Sequence, residues 1–266
     1  MVKPAEAITM PAINPKERHF ALRVVAGILR PLVRLSFRLE PTHLERLPKQ
    51  GAFILVSNHV TNVDALAVAY LNWVYLKRAP HFLAKEGLFR TPLIGRILLA
   101  AGQIPVFRTG RRNDEPLRVA LKYLEAGHVI TVFPEGTLTR NPDLWPMRGK
   151  TGAVRLALAA NVPVYPVAHW GSEKIMGQYS SVFKPGFWKP VRLLVGNEID
   201  LSEYRNEQNS PAMVVQATEK IMWTITGLVE ELRGEKAPAE LWDPAEKGQA
   251  VTGNYKKSKT ASGEGN

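Results

Sequence analysis

His59 and Asp64 have the residue types and spacing for proton chemistry. They lie in Ser57-Asn58-His59-Val60-Thr61-Asn62-Val63-Asp64, a polar stretch after an apolar run, with the aspartate five residues beyond the histidine. Five residues on a regular helix turn through about 140°, so the side chains meet only if His59 precedes a helix and Asp64 lies in its first turns. A carboxylate on one imidazole nitrogen fixes the tautomer and leaves the other nitrogen free to take a proton. The same spacing also suits a capping turn with a structural histidine, and the pair alone does not choose.

Three further blocks carry candidate chemistry. Phe133-Pro134-Glu135-Gly136-Thr137-Leu138-Thr139-Arg140 follows the apolar run Val129–Val132. A carboxylate, a glycine and a hydroxyl at a strand end suit a polyol or a phosphate. Glu135 can accept a hydrogen bond from a substrate hydroxyl, Gly136 lets the backbone approach closely, and Arg140 can pair a phosphate through its planar fork. The alternative is a strand-terminal turn with solvated charges. In Gly102-Gln103-Ile104-Pro105-Val106-Phe107-Arg108 a short strand ends in arginine, with Arg111 and Arg112 close behind, which reads as a phosphate site or a solvated basic loop. Val162-Pro163-Val164-Tyr165-Pro166-Val167-Ala168 has no titrating catalytic group, and its prolines suggest an edge or irregular strand beside a cleft.

The elements that must position these residues alternate. β-rich runs at Ala52–Ser57, His81–Ala84, Ile104–Phe107, Val129–Phe133, Val164–Ala168 and Val191–Val195 flank helix-like stretches at about 62–76, 91–100, 114–126 and 150–160. This pattern predicts an α/β fold with a mixed, largely parallel sheet flanked by helices, and functional residues where strands end and loops begin. Ser210 as N-cap and Pro211 at the first position open a last helix. From Arg18 to Phe37 the pattern is helical, with His19, Arg23, Arg30 and Arg34 on one stripe and Pro31 expected to kink or split it. This segment reads as an amphipathic helix on a membrane surface or one packed on the domain. The expected organisation is a flexible N-terminus at 1–17, amphipathic membrane-surface helices at 18–40, an α/β domain at 41–233, and a largely disordered tail at 234–266.

Composition narrows the function. The 266 residues carry 35 Lys and Arg against 24 Asp and Glu, a net +11 that favours a polyanionic partner. Nucleic acid, anionic lipid and a phosphorylated substrate all qualify, but no helix-turn-helix, zinc or aromatic-basic RNA motif is present, so no nucleic-acid partner is expected. The absence of cysteine excludes disulfides, thiolate zinc sites and an acyl-cysteine intermediate. No cluster of ligands suggests a metal. Neither a secretory leader nor a spanning helix is expected.

The four blocks in order, N-H-x4-D at 58–64, G-x-I-P-V-F-R at 102–108, F-P-E-G-T at 133–137 and V-P-V-x-P at 162–166, resemble the lysophosphatidic acid acyltransferase family (1-acylglycerol-3-phosphate O-acyltransferases, of the glycerolipid acyltransferase superfamily). The resemblance covers about residues 50–200. It implies transfer of a fatty acyl chain from acyl-coenzyme A, as co-substrate and without a cofactor, to a hydroxyl of lysophosphatidic acid or a related glycerol phosphate in phospholipid biosynthesis. It further implies that His59 is the general base and Asp64 orients it, that Arg108, Glu135, Gly136 and Thr137 with Arg140 hold the glycerol phosphate, and that Val162, Pro163 and Pro166 border the acyl-donor channel. The family usually has arginine after F-P-E-G-T; here Leu138 stands there, leaving Arg140 or Lys150 to supply the charge. A peripheral or monotopic enzyme on the cytoplasmic face of the cell membrane, at an anionic surface, fits these features. Alternatives are glycerol 3-phosphate or another lysolipid as acceptor, acyl carrier protein as donor, or a non-catalytic membrane-binding protein.

Overall fold

Each apolar β-rich run forms a strand, and the strands join in one sheet. The computed structural model describes residues 8–14, 16–107, 114–205 and 210–250. In it the strands are β1 (Arg38–Thr42), β2 (Phe53–Ser57), β3 (His81–Lys85), β4 (Ile104–Val106), β5 (Val129–Val132), β6 (Val164–Trp170) and β7 (Pro190–Val195). Their order across the sheet is β1-β7-β6-β2-β5-β3-β4. From β6 to β4 all neighbours are parallel; β7 runs antiparallel to β6 and carries β1 parallel beside it. The architecture is therefore the mixed, largely parallel α/β sheet that the alternation predicts.

The central strands β2 and β5 are buried along their whole length because helices cover both faces, which is why they read as unbroken apolar runs. On one face Ile54, Val56 and Ile130 pack with Leu156 of α6 (Gly152–Ala160) and with Ile221, Ile225 and Val229 of α7 (Pro211–Arg233). On the other, Phe53 and Leu55 meet Val33 of α1 (Phe20–Ser36) and Val68 of α2 (Asp64–Tyr70). The remaining helices are α3 (Glu86–Phe89), α4 (Pro92–Ala100) and α5 (Glu115–Glu125). α7 begins as the sequence predicts: the Ser210 side chain accepts a hydrogen bond from the Met213 amide, and Pro211 follows.

Several boundaries differ from expectation. The amphipathic segment is one helix that continues through Pro31, and it ends at Ser36; residues 38–40, placed with the helix by sequence, belong instead to edge strand β1, because β7 offers it a parallel partner. The 62–76 helix starts at Asp64 and widens into a π-helical turn over Leu71–Leu76, around buried Asn72, whose side-chain amide bonds the Val68 carbonyl. Residues 8–14 and 16–17 are not a loose end: Met10 and Ile13 pack on the core, the Tyr123 hydroxyl donates to the Ala12 carbonyl, and Glu17 pairs with buried Arg78. Residues 235–250 are likewise placed, with Trp242 bridging Met147 and Asp243 pairing with Arg148; the rest of the expected tail lies outside the described residues. β6 is an interior strand, paired on both sides, rather than an edge.

Among the described residues, no helix is long and apolar enough to cross a membrane.

Candidate functional site

β2 and β5 lie side by side and parallel, so the turns leaving them meet at one end of the sheet. The first turn carries His59 and the second Glu135. Between strand and helix the chain bends so that Asp64, the first residue of α2, faces back toward His59, the only geometry that reconciles their spacing.

Asp64 is fully buried and saturated. Its Oδ2 accepts from His59 Nδ1 at 3.1 Å and from the amides of Val60 and Thr61 at 2.6 and 2.7 Å, while Oδ1 accepts from the Thr61 hydroxyl at 2.7 Å. Burial alone would push this carboxyl up. The facing His169 and His59 rings and the Thr61 amide outweigh that and hold it well below the usual carboxylate range. An ionised carboxylate only accepts, so His59 Nδ1 carries the proton and Nε2 is the basic nitrogen. Among the described residues no hydrogen bond occupies Nε2, and the His59 side chain retains 18% of its exposure. The Phe133 ring stacks on the imidazole at 4.2 Å, fixing its plane.

Glu135 is placed differently from its expected contact with a substrate hydroxyl. It is buried, with Oε1 accepting from the His59 amide at 2.8 Å and Oε2 from the Met147 amide at 3.2 Å. Burial pushes its carboxyl up to about 8, against those amides, which favour the anion. The Thr139 amide donates to the His59 carbonyl at 2.6 Å, so Glu135 and Thr139 clamp the His59 peptide from both sides.

Gly136 has φ +67°, which favours glycine, and a Cβ there would lie 3.0 Å from Lys150 Cδ. The Lys150 amide also donates to the Pro134 carbonyl at 2.8 Å. The exposed Lys150 stem therefore lies over the F-P-E-G-T turn, with half-buried Thr137 beside it. Arg140 is buried completely, and Leu138 is buried too, its carbonyl accepting from the Tyr179 hydroxyl at 3.2 Å. Of the two cations that sequence offered for the missing arginine, the solvent-facing one is Lys150. Arg108 lies outside the described residues.

The register separates the fourth block from the rest. β6 pairs Val164 with Ile54 and Val167 with Ser57. Val162 and Pro163 are therefore level with the start of β2, roughly 16 Å of strand from the His59 end. Pro166, opposite Val56, is buried against Gly196. Val162 and Pro163 thus stand away from the turn that carries His59.

Residues that sequence reasoning missed complete the site. The Asn58 side chain donates to the His169 carbonyl at 3.0 Å and accepts from the His169 amide at 2.9 Å, and His169 Nε2 donates to the Asn58 carbonyl at 2.8 Å. His169 Nε2 is also 3.6 Å from Asp64 Oδ2. Thr61 was visible in principle, since T-x-x-D at a helix start is a capping pattern. His169 had no local signal, because strand pairing alone brings it across 111 residues to Asn58. Among the described residues no group of side chains could hold a metal ion.

The arrangement is an oriented, partly exposed imidazole able to take a proton, beside a glycine-tight turn with a lysine above it. Comparison with known proteins agrees. A family model described as Acyltransferase matches residues 38–170. Over 204 residues the chain is 28% identical to a 1-acyl-sn-glycerol-3-phosphate acyltransferase from Borreliella burgdorferi, covering 73% of this chain and 78% of that one. Over 201 residues it is 26% identical to the enzyme of the same name from Bacillus subtilis, covering 74% and 92%. The crystal structure of the 1-acyl-sn-glycerophosphate (LPA) acyltransferase PlsC from Thermotoga maritima aligns with a TM-score of 0.60 at 25% identity, covering 82% of this chain and 81% of that one.

Proposed function

The chain belongs to the acyltransferase family and is a glycerolipid O-acyltransferase, and from that premise we propose that it moves a fatty acyl chain from acyl-coenzyme A to the free hydroxyl of lysophosphatidic acid, making phosphatidic acid at a membrane surface. The observation that carries the mechanism is the His59–Asp64 pair: Nδ1 is held by a buried carboxylate and Nε2 is left basic. His59 Nε2 takes the proton of the acceptor hydroxyl as its oxygen attacks the thioester carbonyl. The carbon–sulfur bond then breaks, and the same proton passes to the departing thiolate, giving the ester and free coenzyme A. General base catalysis of this kind contributes about 10²–10⁴-fold. Asp64 holds the ring and stabilises the imidazolium that forms. Lys150 is assigned to the acceptor phosphate, and Gly136 lets its stem lie over the turn.

A lipid acceptor calls for an enzyme that lies on the bilayer. α1 supports this reading, with Arg23, Arg30 and Arg34 exposed on one stripe and Phe20, Val24, Ile28 and Leu35 exposed beside it. The expected location is the cytoplasmic face of the cell membrane. Proton transfer and acyl attack need neither metal nor cofactor.

The test is acyl transfer from palmitoyl-coenzyme A to lysophosphatidic acid and to glycerol 3-phosphate, wild type beside His59→Ala. Product from lysophosphatidic acid with wild type alone is expected. Normal activity in His59→Ala would overturn the mechanism, and preference for glycerol 3-phosphate would overturn the acceptor.

A further inference from the structure

Between β6 and β7 the chain makes a long excursion, and its tip exposes apolar rings that a soluble surface would cover. Phe187 and Trp188 are 62% and 63% exposed, packed edge-to-face on each other at 4.9 Å, with Val182 and Phe183 exposed nearby. The tip is held in place. Phe183 bridges Met176, the Lys184 amide donates to the Ile175 carbonyl at 2.7 Å, and the Lys189 ammonium donates to the carbonyls of Lys174 and Lys184. The Gly186 amide donates at 2.8 Å to the carbonyl of Ser36, the last residue of α1, so the segment that carries the rings adjoins the end of α1, where Leu35 is exposed. Between β6 and β7 the sequence holds three lysines, Lys174, Lys184 and Lys189, against one acid, Glu173, whose carboxylate accepts from the Gly171 amide. On its inner side the same excursion reaches the catalytic turn: the Gln178 side-chain amide donates to the Thr139 carbonyl and the Tyr179 hydroxyl to that of Leu138.

We infer that this excursion is a second anchor for an anionic lipid bilayer, in which Phe187 and Trp188 enter the interface while Lys184 and its neighbours meet lipid phosphates. Three features select this occupant: an exposed aromatic pair, an excess of lysines, and continuity with the end of α1. An acidic protein would match the charge but not the run of apolar surface onto a basic amphipathic helix. Because Gln178 and Tyr179 bond the turn that clamps His59, the anchor sets that turn at headgroup height, where a lysolipid presents its hydroxyl. The inference rests on the reading of α1 as a surface helix.

The experiment compares wild type, Phe187→Ser/Trp188→Ser and an α1 variant, Ile28→Asp, by co-sedimentation with phosphatidylcholine vesicles containing phosphatidylglycerol. Both loop residues are exposed, so the double variant should keep its thermal midpoint. It should lose roughly tenfold or more in partitioning and show a raised apparent KM for lysophosphatidic acid presented in vesicles. Its kcat on a short-chain, water-soluble analogue should be unchanged. In vesicles of brominated lipid, tryptophan quenching of the wild type should be largely lost in Trp188→Phe. Unchanged partitioning of the loop variant with lost partitioning of Ile28→Asp would overturn the second anchor and leave the α1 reading intact. Failure of wild type to bind these vesicles would overturn both. Equal quenching of wild type and Trp188→Phe would also refute insertion of this ring.

Discussion

Asp64→Asn removes one charge from a carboxylate that accepts four hydrogen bonds, and the structure dictates how the amide must sit. The Val60 and Thr61 amides point at Oδ2 and cannot turn away, so the asparagine carbonyl must take that place. Its NH2 then faces the Thr61 hydroxyl, which can rotate to accept. Packing survives, but each bond loses its charge assistance, about 1 kcal/mol apiece, partly offset because no anion is buried any longer. A net destabilisation of about 1–3 kcal/mol is expected. The catalytic cost is larger, because the imidazolium formed during transfer loses its facing anion. The kcat should fall about 10²-fold or more, equivalent to about 2.7 kcal/mol of barrier, with little change in either KM. Release of free thiol from palmitoyl-coenzyme A in the presence of lysophosphatidic acid reports kcat, and thermal denaturation reports stability. Asp64→Ala is the poorer experiment, because it strands two buried amides at about 1–3 kcal/mol each. A folded Asp64→Asn enzyme within about threefold of wild type would refute the claim that this carboxylate supports the base.

Lys150→Ala should raise KM for lysophosphatidic acid by roughly tenfold while KM for the thioester stays constant; equal changes in both would remove Lys150 from the phosphate site. Burial raises the Glu135 carboxyl to about 8, so its contribution to stability is full below the ordinary carboxylate value and is lost as pH rises through 8. Burial and facing His128 push the His81 ring down to about 3, so its contribution is present above the ordinary imidazole value and fades as pH falls toward 3. The thermal midpoint should therefore decline on both sides, and Glu135→Gln should flatten the alkaline slope; an unchanged slope would exclude Glu135 as its source. His169→Leu removes the donor to the Asn58 carbonyl and should lower kcat, whereas His169→Gln, which can place an amide N–H near that position, should restore much of it. Full activity in His169→Leu would show that the Asn58–His169 hydrogen bonds do not position His59.

The order of elements and the class of fold were written in local patterns, and so was the contact between His59 and Asp64. β2 and β5 read as strands because both faces are buried, and the Ser210–Pro211 signal opens α7 because capping is a contact between near neighbours. His59 and Asp64 are five residues apart, so a turn suffices to join them. What depends on pairing between distant segments was not legible. β1 exists as a strand because β7 lies beside it. Glu135 looked like a substrate ligand until the neighbouring turn from β2 supplied the His59 amide across 76 residues. Val162 and Pro163 share no local signal with His59, and only the β2–β6 register shows that they lie level with the start of β2. Arg140 and Lys150 were equivalent cations in sequence, and burial distinguished them. Residue type and spacing determine which chemistry is available locally; the tertiary fold decides which polar groups are buried within the protein and which reach solvent.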